Sequence, residues 1–257
     1  KVIDIDQIIE CNTSDATKAI TPLREDAFDI SDDEKIALIE SHFKEIMLAL
    51  GLDLSDDSLK GSPKRVAKMY VNELFSGLNP SLKPQSTLFK NNYEYGKMLV
   101  EKNISFYSNC EHHFLPIIGK AHIAYISSGD VIGLSKLHRI VNYYAKRPQV
   151  QERMTVQIFN ELKNVLKTDD VAVIIDAAHL CVSSRGIKDI TSTTLTLEVG
   201  GKFKEDKKEG LFTIYYEDGT LHSRVYYKNG VRNGLIEHYN TYGKLMRRGS
   251  FKNGVFH

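Results

Sequence analysis

Apolar residues recur every three or four positions along SDDEKIALIESHFKEIMLALGL, which sets Ile36, Ile39, Phe43, Ile46 and Leu50 on one stripe of a predicted helix. Ser31 and Glu34 hold the capping-box spacing at its start, and Gly51 closes it. A second helix is read over GSPKRVAKMYVNELFSGL, with Ser62 as cap, Pro63 in the first helical position and Gly77 at the end. Arg65 and Lys68 share a face of it. A polar stretch then runs to about residue 95, after which KMLVEKNISFYSN and KAHIAYISSG alternate with the period of strands. LSKLHRIVNYYAKRP returns to helical spacing and stops at Pro148, and QVQERMTVQIFNELKNVLK forms the next helix. VAVIIDAAHLCV and DITSTTLTLEV read as two further strands. Helices, a strand pair, two helices and a second strand pair predict an α+β domain, its antiparallel sheet covered by helices on one face.

The ends of the chain have a different texture. Residues 1–28 show no clear period and read as a loosely ordered arm, with Cys11 a bystander. The main domain is expected over 29–204, helical over 29–86 and sheet-based over 87–204. From 205 to 257 the chain repeats itself, because GLFTIYYEDGTLHSRVYYKNGVRN aligns with GLIEHYNTYGKLMRRGSFKNGVFH at a period of 24. Gly210 matches Gly234, Tyr215 matches Tyr239, Gly219 matches Gly243, Leu221 matches Leu245, and KNGV closes each copy. Each unit reads as a β-hairpin and resembles MORN-type repeats. Two repeats bury little alone, so packing on the main domain or a neighbouring subunit is expected.

Charge narrows the function only locally. The chain has 34 Lys and Arg against 33 Asp and Glu, so its net charge makes no case for nucleic acid or a membrane, and neither partner is expected. From residue 201 onward 11 basic residues face 6 acidic ones, which could meet an acidic partner, though solvated strand faces explain the same charge and are the preferred reading. Three cysteines are too few and too odd for a disulfide scaffold. No apolar run is long enough to span a bilayer, and KVIDIDQIIE is too acidic for a signal peptide, so the expected location is cytoplasmic.

Chemistry concentrates in SNCEHHFLP and DAAHLCV. Cys110 and His113 have a ligand spacing, and Cys181 adds a second thiolate close to His179 at the end of a predicted strand. Residues two apart on a strand face one side, so His179 and Cys181 are expected to look into one pocket. Cys110, His113 and Cys181 would give zinc two thiolates and an imidazole, the three-ligand set that leaves a fourth position for water. A structural zinc would take a fourth protein ligand, which His112 or His179 could supply; a catalytic one would leave them to move protons. Elsewhere Glu152 starts a helix, where a surface carboxylate is ordinary. Arg65 with Lys68, and Lys136 with Arg139, could each be a solvated helix face.

CEHHFLPIIGKAHIAYI, GLSKLHRIVNYYAKRPQVQERMTVQI and DAAHLCVSSRGI, preceded by PKRVAKMYVNELFSGL, resemble in order the signature blocks of GTP cyclohydrolase I. The resemblance runs over roughly residues 30–204. It implies the tunnelling fold, in which subunits pool their sheets into a barrel and form a toroidal homodecamer, a dimer of pentamers. It further implies zinc-dependent conversion of GTP to 7,8-dihydroneopterin triphosphate with release of formate, the first step of tetrahydrofolate and pterin biosynthesis.

The resemblance also distributes roles. Cys110, His113 and Cys181 take the positions of the zinc ligands, one ion per subunit, and iron would tolerate the same set. His112 and His179 take the acid and base positions. Glu152, with Gln151 beside it, would read guanine; Arg65, Lys68, Arg139 and Arg185 would hold phosphates; Ser135 and Lys136 would lie near the ribose. His138 stands where a small or polar residue is expected, YISSGD lacks the usual proline, and the repeats are foreign to the family. Two other readings use the same residues: a zinc-stabilised interaction protein, and a sister tunnelling-fold enzyme acting on a related purine or pterin.

Overall fold

Ser31 caps the first helix, α1 (Asp32–Ala49), with both halves of the capping box. The Ser31 hydroxyl accepts from the Glu34 N–H at 3.2 Å, and the Ser31 N–H donates to the Glu34 carboxylate at 2.7 Å. Gly51, at φ +81°, ends the helix in the left-handed region that glycine adopts without steric cost. The computed structural model describes residues 19–203, 210–216, 220–228 and 231–256. Most of the predicted arm, Cys11 included, lies outside the described residues. The chain divides into two compact units, residues 1–199 and 200–257.

In the first unit, α2 (Ser62–Met69) carries Gly61 rather than Ser62 at its cap position. The Ser62 hydroxyl accepts instead from Arg65, at 2.8 Å. The helix widens into a π turn at Tyr70–Leu74 and ends in a 3₁₀ turn at Ser76–Leu78. Two short strands, β1 (Leu88–Lys90) and β4 (Asp130–Ile132), pair with each other outside the main sheet. The polar reading of the stretch up to residue 95 misses β1, since so short a strand cannot show a period.

The main sheet contains β2 (Met98–Cys110), β3 (Pro116–Ile126), β5 (Pro148–Gln149), β6 (Val171–His179) and β7 (Thr194–Val199). Their order is β5-β2-β3-β6-β7, antiparallel except for the short β5–β2 pair. One face is dry: Ile104, Phe106, Ile117, Ile123, Tyr125, Val173 and Ile175 are fully buried. Against them pack α3 (Leu134–Ala145) and α4 (Gln151–Leu166), through Leu137, Ile140, Met154, Ile158 and Leu162. Each such side chain contributes about 1.5–3 kcal/mol on leaving water. On the other face Tyr107, Ile118 and Leu195 are exposed.

Helix α3 stops at Ala145, short of Pro148, which begins β5 and lies beside Asn109. Arg147, between the two, gathers distant segments. Its guanidinium lies 4.7 and 4.6 Å from the Tyr143 and Tyr144 rings and donates to the Gly77 carbonyl (2.8 Å) and the Thr21 hydroxyl (3.2 Å). Gln157 donates to Ala19 and Thr21 as well, so the last residues before α1 are tied down rather than loose. Gly77 is closed in by backbone: a Cβ there would sit 2.0 Å from the Tyr143 carbonyl oxygen. Among the described residues no helix is long and apolar enough to cross a membrane.

The second unit is an antiparallel meander of β8 (Gly210–Tyr215), β9 (Leu221–Lys228), β10 (Val231–Tyr239), β11 (Leu245–Lys252) and β12 (Val255–Phe256). One of its irregularities repeats. The β8–β9 ladder shifts register between Ile214 and Tyr215, and β10–β11 shifts between His238 and Tyr239, the equivalent place in the second copy. Tyr216 N donates to Thr220 O across the first turn at 2.7 Å, and Asn240 N to Lys244 O across the second at 2.9 Å. Gly219 and the Asn229–Gly230 pair of the first copy lie outside the described residues.

Candidate metal centre and active site

Strand β2 delivers Cys110 to the mouth of a tight loop. Cys110 N donates to Leu115 O, Phe114 N donates to Cys110 O, each at 2.8 Å, and the buried Asn109 amide holds the Phe114 carbonyl at 3.2 Å. Closing so short a loop forces Phe114 to φ +55°, a left-handed conformation that costs a non-glycine residue about 1–2 kcal/mol. The Phe114 ring offsets this by packing on Phe75 and Tyr70, at centroid distances of 5.3 and 6.3 Å. His112 and His113 are thereby carried on a backbone that has little freedom.

The other thiol arrives differently from the strand reading. Strand β6 ends at His179, and Cys181 belongs to the single helical turn α5 (Leu180–Ser183). Strand alternation therefore does not carry His179 and Cys181 to one side. The turn brings Cys181 to Cys110 and His113, whose ligand atoms all lie within 4.8 Å of one another. His179 goes elsewhere. Among the described residues this is the one cluster of three or more such side chains, and neither spare histidine makes it a closed set of four.

The donor set suits a soft divalent cation. Burial and the neighbouring Cys110 thiol push the Cys181 thiol above its ordinary pKa, because two thiolates side by side repel. A cation between them reverses that balance, and two thiolates with one imidazole match zinc. Arg185 donates to His113 Nε2 at 3.0 Å, leaving Nδ1 as the nitrogen facing Cys110, 3.9 Å from its sulfur. His112 Nδ1 is equally near that sulfur, at 3.8 Å, while its ring is largely exposed.

Gln151, fully buried at the start of α4, determines the state of His179. Its amide nitrogen donates to Ile175 O (3.1 Å), Thr194 O (2.8 Å) and Thr196 Oγ1 (3.1 Å), which orients the side chain. Its oxygen must then face His179 Nε2, at 2.8 Å, and accept a hydrogen bond from it. His179 is held as the Nε2–H tautomer with Nδ1 free. Burial pushes the pKa of His179 down, and the Glu152 carboxylate partly opposes this. Glu152 itself is exposed beside Gln151.

Two residues passed over in the sequence brace the loop from behind. Arg153 donates to Glu111, the residue between Cys110 and His112, and also to Gln149 Oε1 and Pro148 O. The only sequence signal for this was a glutamate next to a ligand cysteine and an arginine next to Glu152. Neither says that the two meet.

The remaining candidates are not gathered in one chain. Arg65 is exposed and bonds Ser58 O and Ser62 Oγ, and Lys68 is exposed one turn along. Ser135, Lys136 and Arg139 lie on the first turns of α3. Their neighbour His138 contacts Glu101 at 3.1 Å, near the far end of β2 from Cys110. Along a strand that separation is about 30 Å, more than one nucleoside triphosphate spans.

A mixed helix and sheet domain with an open cluster of two thiols and an imidazole, two further histidines beside it, defines a metal-dependent enzyme of the hydrolytic class. The sequence comparisons carry this further. The family model for GTP cyclohydrolase I matches residues 39–213. The GTP cyclohydrolase 1 of Flavobacterium johnsoniae is 63% identical over 200 residues, covering 78% of this chain and 90% of the relative. That of Vibrio parahaemolyticus is 52% identical over 186 residues (72% and 85%), and that of Klebsiella pneumoniae 50% over 201 (77% and 90%). The chain belongs to the GTP cyclohydrolase I family, whose members are zinc-dependent hydrolases.

Proposed function

We propose that the chain converts GTP to 7,8-dihydroneopterin triphosphate and formate in the cytoplasm, opening a pterin pathway, with one zinc ion per subunit held by Cys110, His113 and Cys181. The observation that carries this reading is the convergence of those three side chains while Gln151 keeps His179 out of the ligand set. Zinc in such a set supplies a Lewis acid that makes water nucleophilic at neutral pH. As water adds to C8 of the guanine ring, the bare Nδ1 of His179 would take a proton from that water and deliver it to N7, leaving the imidazole neutral as it began. His112, exposed on the loop, moves the proton that ring opening and loss of formate require.

Glu152 would accept hydrogen bonds from the ring N–H and exocyclic amine of guanine, a donor pair that adenine lacks. The Gln151 amide is already committed to protein groups, so its part is to orient His179 rather than to read the base. Arg185, against His113, is placed to meet a phosphate in the same pocket. Arg65 and Lys68 are free enough to turn toward one. Ser135, Lys136 and Arg139 stand too far along β2 and would serve the pocket of a neighbouring copy.

That division suits a GTP-binding homo-oligomer, as the family is. The open sheet face, and the stripe on α1 where Ile46 and Leu50 remain exposed, support a pooled barrel of the tunnelling fold and a decamer. We read residues 205–257 as MORN-like repeats added to the enzyme, supported by the bulges and turn bonds that recur from one copy to the next.

The test is to incubate the protein with GTP and with ATP, following formate and the absorbance of a pterin product, with and without a chelator. Turnover of GTP alone, abolished by the chelator, is the expected result. A zinc-loaded protein that leaves GTP intact would overturn the reading.

A further inference from the structure

The C-terminal repeat keeps more than its turns. Arg224 and Lys228 recur as Arg248 and Lys252, and Leu211 recurs as Leu235. A turn glycine is kept because the backbone needs it; an exposed arginine or lysine on a strand has no such reason. Alternation along β9 buries Ser223 and Val225 and exposes Arg224, Tyr226 and Lys228. Cross-strand pairing of Thr213 with Arg224, Arg224 with Glu237, and Glu237 with Arg248 puts this second set on one face. Leu235 faces Ser250 on the same side.

The four cations therefore surround a patch on the exposed face of the meander. Arg224 and Arg248 both pair with Glu237, two strand spacings or about 10 Å apart, and Lys228 and Lys252 each lie four residues, about 13 Å, further along the same strands. Tyr226 and Leu235, 48% and 40% exposed, occupy the centre, with Leu211 beside Tyr226. Glu237 is the one carboxylate among the described residues of this unit, and it is engaged by Arg248 (3.6 Å) and by the Tyr239 hydroxyl (2.9 Å). Arg224, Lys228, Arg232, Lys244, Arg247, Arg248 and Lys252 share the meander with it.

We propose that this face of the C-terminal unit binds an acidic polypeptide that brings apolar side chains of its own. Charge complementarity names the acidic side chains, which neutralise cations whose single counter-charge among the described residues is already shared. The apolar centre chooses polypeptide over the other polyanions. Tyr226 and Leu235 lie between longer Arg and Lys side chains, so they meet a partner whose own side chain projects inward, which a flat headgroup layer does not offer. Glu237 stands in the cationic row, where its carboxylate disfavours a phosphodiester backbone laid along the cations.

The probe is a fluorescein-labelled random copolymer of glutamate and tyrosine, titrated with full-length protein by anisotropy at low and moderate salt. Polyglutamate, phosphatidylserine vesicles and oligothymidylate of matched charge are the comparison ligands. The copolymer is expected to bind more tightly than all three. Arg224→Ser with Arg248→Ser should weaken it at least about tenfold, the loss of one charge-assisted contact per site. Tyr226→Ser with Leu235→Ser should remove the preference over polyglutamate. Formate release, thermal melting and assembly mass should be unchanged in both variants. Equal binding by the arginine variant, or tighter binding to vesicles or oligonucleotide, would overturn the proposal. A change of assembly mass in the arginine variant would also overturn it, since the face would then join copies of this chain.

Discussion

The loop at Cys110–Leu115 and the meander at the end of the chain use repetition in opposite ways. Nothing in the loop is repeated: each side chain is held by a different distant element, Phe114 by Phe75 and Tyr70, Glu111 by Arg153, His113 by Arg185, and the nearby His179 by Gln151. In the meander the same turn bonds and bulge recur in both copies, and turn residues, a few apolar positions and exposed cations survive in each. Chemistry at a point requires unlike groups to converge, whereas binding over an area needs one pattern presented twice. The first arrangement is therefore sensitive to any single substitution, and the second is tolerant of many.

The most direct attempt to break that contrast removes a thiol. Cys181→Ala should abolish both zinc retention and formate release, read by elemental analysis and by formate assay; zinc held at full occupancy would place the metal elsewhere. His179→Ala should keep its zinc and lose about 10²–10⁴-fold in kcat, the usual worth of a positioned acid or base. If zinc is lost instead, His179 is a ligand and the open set of three is wrong. Gln151→Leu should cost about 10–100-fold in turnover through a misoriented His179, again with zinc retained.

Smaller effects test the scaffold and then the meander. Gly77→Ala should destabilise the fold by about 1–3 kcal/mol in a denaturant titration, because the new Cβ meets a carbonyl that cannot move without breaking α3. Removing residues 205–257 should leave formate release unchanged, and light scattering should report the mass of the same oligomer. A smaller assembly would show that the repeats help to build it, and the contrast between site and surface would need redrawing.

How much could be read from the chain alone varied with the range of the interactions. The capping box of Ser31 and Glu34 and the stop at Gly51 are encoded by neighbours, and both stand where local spacing put them. The Cys110 and His113 pair was legible for the same reason, as was the period of the C-terminal repeat. Local spacing misassigned the cap of α2, ran α3 on to Pro148, and extended strand β6 past His179. Each error falls at an element boundary, where a tertiary contact decides among conformations of nearly equal local energy.

By itself, then, the sequence determined which segments are helical or extended, which side chains can bind a soft metal, and that the last part of the chain is built twice. Those properties depend on residue type and spacing over a few positions. Tertiary structure alone decided that Cys181 reaches Cys110 through a helical turn, and that the Gln151 amide is spent on Ile175, Thr194 and Thr196 so that its oxygen sets the tautomer of His179. It also decided that four repeated cations share one face. Such facts depend on strand register and on hydrogen bonds between residues far apart in the chain, where no local pattern carries the information.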